Sequence, residues 1–235
     1  MNTASEQSPP LLSVHGTIKV IGIPAFDDNL IWVIQPTNTD DNGFSLVSIV
    51  DPGDAAPVID ACRRHQWILQ SILLTHHHAD HTGGVSKLQH WMQAMHPTQP
   101  LAVYGPAAES IPLVTHPLSG GEEITLVGGM QARVLAVSGH TRGHLAYLLP
   151  RETGCLPPAL FSGDVLFGLG CGRLFEGTAK QMYAALATIK NLDVDTRIYC
   201  AHEYTALNLP FALQVDPENQ ELHERAQRIH ALRQA

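Results

Sequence analysis

Charge is scarce in this 235-residue chain: Asp, Glu, Lys and Arg make up 15% of it, against 44% hydrophobic residues, and the balance is acidic, with a formal net charge of −8. Such a composition is not that of a disordered chain, and it supplies apolar material for a layered interior in one large domain. No Lys/Arg stripe offsets the acidic excess, which argues against non-specific attraction to nucleic acid or to an anionic membrane surface. An anionic substrate must therefore meet local cations. Long apolar runs are missing too; none approaches the roughly 18 residues of a membrane span. Residues 1–16 are largely polar, contain proline and lack the basic flank and apolar core of a secretory signal, so they read as a disordered tail on a cytoplasmic protein. Cysteine is sparse: Cys62, Cys155, Cys171 and Cys200 form no Cys-x-x-Cys pair. That excludes a zinc knuckle or a disulfide framework and leaves reduced thiols as the expectation.

What is present is a mixed α and β order. Short apolar runs bounded by turn residues mark strands at Ile18 to Ile21, Leu30 to Ile34, Leu46 to Val50, Ile68 to Leu74, Val134 to Val137, Leu145 to Leu149 and Ala159 to Phe161. Helical spacing appears over Ala55 to Arg64 and Gly84 to Met95. A further helix starts at Thr178, where Thr178 and Gln181 can form a capping box and Met182, Leu186 and Ile189 share a face. A last one is expected from Asp216-Pro217, with Leu222, Ala226 and Ile229 on a stripe that needs a partner.

Histidine is abundant, with fourteen residues, and its placement carries more than its number. His76, His78, Asp80 and His81 fall directly after the apolar run Ile72-Leu73-Leu74. A chain leaving a buried strand at Thr75 can turn several imidazoles and a carboxylate into one cavity. His76 and His78 can then bind one metal, and Asp80 and His81, on the following turn, can face a second. His77, by alternation, points away. A lone histidine is more often a satisfied core residue, but burying four such groups without metal or hydrogen-bond partners is costly. Three other apolar runs end in ligand types: Ser138-Gly139-His140, Ser162-Gly163-Asp164 and Ala201-His202. In the first two a glycine permits a sharp turn that aims the side chain back over the sheet. On spacing alone Asp164 can be a simple turn residue, and His144 can replace His140 as ligand.

Thr75-His76-His77-His78-Ala79-Asp80-His81, Gly139-His140-Thr141, Gly163-Asp164 and the late His202 resemble the metallo-β-lactamase superfamily. Within it, Phe26-Asp27-Asp28-Asn29, Val50-Asp51-Pro52-Gly53-Asp54, the run from Gly170-Cys171-Gly172-Arg173 to Thr178, and Ala201-His202-Glu203-Tyr204-Thr205 resemble the glyoxalase II group, the hydroxyacylglutathione hydrolases. The resemblance implies an α+β fold, a four-layer αβ/βα sandwich over residues 17–205, followed by a short, incomplete helical domain over 206–235. It implies two divalent metals, zinc first with iron or manganese as alternatives. His76, His78 and His140 hold one, Asp80, His81 and His202 the other, and Asp164 bridges them. Asp80 and Asp164 are thereby the candidate catalytic carboxylates.

The implied reaction is hydrolysis of an S-(2-hydroxyacyl)glutathione, chiefly S-D-lactoylglutathione, to D-lactate and glutathione, a step of methylglyoxal detoxification. The nucleophile is a metal-bound hydroxide, and the thiolate leaves without help from a strong acid. Cys171 lies between glycines with no evident base, so packing explains it better than nucleophilic attack. The glutathione moiety is expected near Arg173, Phe175 and Tyr204; Phe175 stands where some family members carry Tyr. Members of the group continue past the point where this chain stops, with an Arg-x-x-Lys type cluster; here Arg225, Arg228 and Arg233 are the late cations. A monomer acting on a small thioester is the expectation. The alternatives are lactone or β-lactam hydrolysis, sulfur dioxygenation at one iron, or a metal-binding module without hydrolysis.

Overall fold

The computed structural model of the protein describes residues 11–37 and 43–234. Its first sheet runs in chain order through β1 (Leu11–His15), β2 (Ile18–Ala25), β3 (Asn29–Pro36), β4 (Ser45–Val50), β5 (Trp67–Leu73), β6 (Ala102–Pro106) and β7 (His116–Leu118). It is antiparallel from β1 to β4 and parallel from β4 to β7. Parallel neighbours need crossovers, and these are α1 (Ala55–His65) and, after the single turn α2 (Ala79–Thr82), α3 (Val85–Met95). The second sheet contains β8 (Glu123–Thr125), β9 (Gln131–Ala136), β10 (Leu145–Leu149), β11 (Ala159–Gly163) and, beyond a two-stranded ribbon of β12 (Leu166–Phe167) and β13 (Gly170–Cys171), β14 (Arg197–Cys200), which pairs parallel to β11. Three helices complete the chain: α4 (Ala179–Lys190), α5 (Thr205–Val215) and α6 (Gln220–Gln234).

Period-two alternation assigns the strands to layers. On β3, Ile31 and Val33 face α1 and α3, while Trp32 and Ile34 face the other sheet. On β10, Leu145, Tyr147 and Leu149 face the first sheet, and Ala146 and Leu148 pack on Met182, Ala185 and Ile189 of α4. The order is therefore helices, sheet, sheet, helix, the four-layer α+β sandwich expected. Both sheets are covered on both faces, which is why their strands read as nearly continuous apolar runs. The expected capping box opens α4: the Gln181 backbone N–H donates to Thr178 Oγ1 at 3.3 Å, and the Thr178 backbone N–H donates to Gln181 Oε1 at 2.8 Å.

Two expectations change. The disordered tail over 1–16 extends too far, because Leu11–His15 forms β1 in register with β2; residues 1–10 lie outside the described residues. The last helix does not begin at Asp216-Pro217. Asp216 closes α5, and Asn219 opens α6 by accepting the Leu222 N–H at 3.0 Å. Helix α5 escaped the periodicity because it is apolar on several sides and contains Pro210. It supplies the partner that the α6 stripe needs: Leu209 packs with Leu222 and Ala226.

β1 is tied to the second sheet by a buried histidine. His15 Nδ1–H donates to the Pro157 carbonyl at 2.5 Å, which leaves Nε2 to accept from the Tyr199 hydroxyl. Burial holds the His15 pKa below its ordinary 6.5. The unfolded chain thus takes up the proton first as pH falls, so this contribution is present above pH 6.5 and is lost below it. The melting-temperature advantage of the native protein over His15→Gln should shrink from pH 7 to pH 5; a gap that stays constant or widens would contradict the assignment.

Candidate metal centre

The ends of β4, β5, β9, β11 and β14 lie at one edge of the two sheets, and each leads into a polar residue of one cluster: Asp51, Thr75 to His81, His140, Asp164 and His202. Backbone geometry permits the approach. Gly163 adopts φ +52°, and a Cβ there would lie 2.6 Å from Thr75 Oγ1. A Cβ on Gly172 would lie 1.9 Å from the Asp164 carbonyl oxygen, so only glycine lets the 170–177 segment cross over the β11 end.

Three ring nitrogens converge on the first side. His78 Nδ1 lies 2.9 Å from His76 Nε2 and 3.1 Å from His140 Nε2. Their outer partners fix the tautomers. His140 Nδ1 faces the Arg173 carbonyl at 2.9 Å and must carry the proton, so its Nε2 lone pair points inward. Thr75 Oγ1 donates to Asp51 at 2.7 Å and is left to accept from His76 Nδ1, which turns the His76 Nε2 lone pair inward as well. Burial, reinforced by the neighbouring imidazoles, lowers the pKa of His76, and burial also lowers those of His78 and His140. Neutral imidazoles with lone pairs facing one another suit a cation.

The second side is built from Asp80, His81 and His202. His81 Nδ1–H donates to Asp51 Oδ2 at 3.0 Å and His202 Nδ1–H to Asp28 Oδ1 at 2.8 Å. Their Nε2 atoms face Asp80 Oδ2 at 3.5 and 3.4 Å and Asp164 Oδ1 at 3.5 and 3.3 Å. The other oxygen of Asp164, Oδ2, lies 3.4 Å from His140 Nε2 on the first side. One carboxylate therefore faces both sets. Burial opposes charge on His81 and His202, but the carboxylates outweigh it and raise both pKa values to about 10. The facing imidazoles of His202 and His81 hold the Asp80 carboxyl far below the usual carboxylate range, against burial, and the same histidines lower Asp164, also against burial.

Among the described residues, the buried atoms His81 Nε2 and Asp164 Oδ1 have no hydrogen-bond partner, only the longer ionic contacts just given. Orphaned groups of this kind are expensive in an interior. A dication between them would satisfy both and displace the proton from each of His81 and His202, so the donor set fits divalent metal ions. The sets His76/His78/His140 and Asp80/His81/His202 each bring their donor atoms within 4.8 Å of one another. His144 takes no such place: its Nε2 accepts the Asp164 backbone N–H at 3.1 Å while its ring stacks on His76, and burial lowers its pKa to about 3.

The model of the metallo-β-lactamase superfamily matches residues 29–202, and that of the hydroxyacylglutathione hydrolase C-terminus matches 203–235. A hydroxyacylglutathione hydrolase of Dechloromonas aromatica is 49% identical over 218 residues, covering 93% of this chain and 74% of the relative. The chain belongs to the hydroxyacylglutathione hydrolase family. A Vibrio cholerae hydroxyacylglutathione hydrolase is 44% identical over 216 residues, or 92% of this chain and 78% of the relative. In fold, the chain is similar to a metallo-β-lactamase structure from Staphylococcus aureus, with TM-score 0.59 and 24% identity over 74% of this chain. It spans about half of that longer protein, 52%.

The three residues expected near substrate lie beside the cluster or join it through the backbone. Exposed Phe175 sets its ring edge-on to His78 and His140, with centroids 5.5 and 5.2 Å away. Tyr204 stacks on His202 at 4.8 Å, nearly parallel. Arg173 is exposed and orients His140 through its carbonyl. Sequence reasoning gave no role to Asp28, Asp51 or Glu109; the first two stood in quoted motifs, yet nothing in their spacing tells that a carboxylate 30 residues before His81 will meet its ring.

Asp51 accepts the Thr75 N–H, the Thr75 hydroxyl and His81 Nδ1–H, and does so from a left-handed backbone at φ +51°. Strain of that kind persists where the surroundings over-determine it. Asp51→Asn presents one donor where only acceptors fit. Metal affinity at the Asp80/His81/His202 set should fall about 10- to 100-fold in competition with a chromophoric chelator; unchanged affinity would show that Asp51 does not orient His81.

Proposed function

We propose that the protein is a dinuclear metal-dependent thioester hydrolase that cleaves S-(2-hydroxyacyl)glutathione, chiefly S-D-lactoylglutathione, to D-lactate and glutathione. The observation that carries the hydrolytic reading is Asp164, whose two oxygens face two different ligand sets. The names of the relatives supply the substrate class. His76, His78 and His140 would hold one ion and Asp80, His81 and His202 the other, with Asp164 between them. Zinc is the first candidate, and iron or manganese accept the same donors. Two such ions lower the pKa of water into the neutral range and polarise a carbonyl oxygen.

The chain's own groups do the rest. Asp80, ionised across the working pH range, contributes fixed negative charge and an acceptor for a water proton at the mouth of the site. Phe175 offers an apolar wall beside His78 and His140. Arg173 supplies the local cation that a glutathione carboxylate needs on a chain of net charge −8. The departing thiolate is stable enough to need no strong acid. The protein acts as a monomer in the cytoplasm, a reading in keeping with four free thiols.

Metal-loaded protein supplied with S-D-lactoylglutathione should lose the thioester absorbance, and His78→Ala should lose activity together with one metal equivalent. A stable thioester alongside turnover of a lactone or a β-lactam would overturn the assignment.

A further inference from the structure

His77 turns away from the metal cluster, as alternation predicted, and its half-buried ring sits between two carboxylates. Its Nδ1–H donates to Glu109 Oε2 at 2.9 Å, and its Nε2 faces Glu176 Oε1 at 3.3 Å. Glu109 lies between β6 and β7, outside every ligand-bearing segment, and its side chain is only 3% exposed. Its second oxygen, Oε1, accepts the Thr141 hydroxyl and, at 2.9 Å, the Gly143 N–H. The carboxylate thus gathers three donors from two loops. One loop carries His76 and His78; the other carries His140. The 170–177 segment joins the same clasp: Glu176 Oε2 accepts the Arg142 N–H at 3.1 Å, and the His140 carbonyl accepts the N–H groups of Phe175 and Glu176 at 3.2 and 3.3 Å.

We propose that Glu109 is a positioning residue that locks the loops of His76, His78 and His140 together through His77, Thr141 and Gly143, and so sets the geometry of one metal subsite and of the Arg173–Phe175 segment hung on it. The inference rests on the metal-centre reading above. A buried carboxylate with three donors is rigid, because losing the Thr141 or Gly143 bond would leave a buried donor unpaired. Its reach is one-sided. None of the hydrogen bonds that Glu109 accepts comes from Asp80, His81 or His202; Asp51 braces His81 and Asp28 braces His202. His77, Glu109 and Glu176 bring donor atoms together as a metal site would. Both Glu109 oxygens and His77 Nδ1 are already hydrogen-bonded, however, so these contacts account for the group without a third ion.

The test is zinc titration of the metal-free protein followed by calorimetry, with melting temperature measured on the same samples. The native protein should take up two equivalents. Glu109→Ala should weaken one step about 10- to 100-fold and leave the other unchanged. Glu109→Gln can keep the Thr141 and Gly143 bonds and lose only the His77 bond, so it should fall between native and alanine; it also keeps the test alive if the alanine variant fails to fold. With S-D-lactoylglutathione, KM should rise in both variants because the Phe175 segment loosens. Weakening of both zinc steps in parallel with melting temperature would reduce Glu109 to general stability and overturn the proposal. Two unchanged steps would overturn it as well, as would three equivalents in the native protein falling to two in Glu109→Ala. A native protein that binds no zinc would instead overturn the metal-centre reading itself.

Discussion

Two atoms set the terms for the rest of this structure: His81 Nε2 and Asp164 Oδ1, both buried and both without a hydrogen-bond partner among the described residues. An interior does not keep such groups without compensation, and each orphan carries a desolvation penalty of about 1–3 kcal/mol or more when charged. The neighbouring carboxylates, Asp51, Asp80 and Asp164 for His81 and Asp164, Asp80 and Asp28 for His202, raise both pKa values to about 10 against burial. On the other side burial keeps His76, His78 and His140 below their ordinary value. One half is thus poised to exchange protons for a cation, and the other already presents lone pairs. Asp164 faces both.

The surrounding groups follow from that constraint. Four of the five inward-facing rings are aimed by an acceptor on the outer side: Asp51 behind His81, Asp28 behind His202, the Arg173 carbonyl behind His140 and Thr75 behind His76. Strand ends supply the rigid origin of each loop, and two covered sheets supply the strands. Gly163 and Gly172 are small because backbone and side-chain atoms pass where a Cβ would stand. The fold is in this sense a frame for fixing tautomers.

Much of that frame is legible in the chain. Strands buried on both faces appear as apolar runs, and a ligand type directly after a run marks the sheet edge, which is how His140, Asp164 and His202 join the His76 to His81 cluster. Asp51, Asp28 and Glu109 are not legible in that way. Each is a carboxylate in a loop, and its partner lies 24 to 174 residues away, so local pattern carries no trace of the contact. Helix α5 is hidden for a different reason: its apolar residues surround the axis and Pro210 interrupts it, so no stripe stands out. The choice between His140 and His144 required coordinates, because both follow the same strand and only the Asp164 N–H shows which ring is already engaged.

The central claim is a two-metal centre divided by Asp164, and crystals of the zinc-loaded protein test it most directly through an anomalous difference map at the zinc edge. Two peaks are expected, about 3.5–4 Å apart, one at bonding distance from His76 Nε2, His78 Nδ1 and His140 Nε2, the other from Asp80 Oδ2, His81 Nε2 and His202 Nε2, with one oxygen of Asp164 turned to each. A single peak, or a peak bonded to His77 or His144, would contradict it.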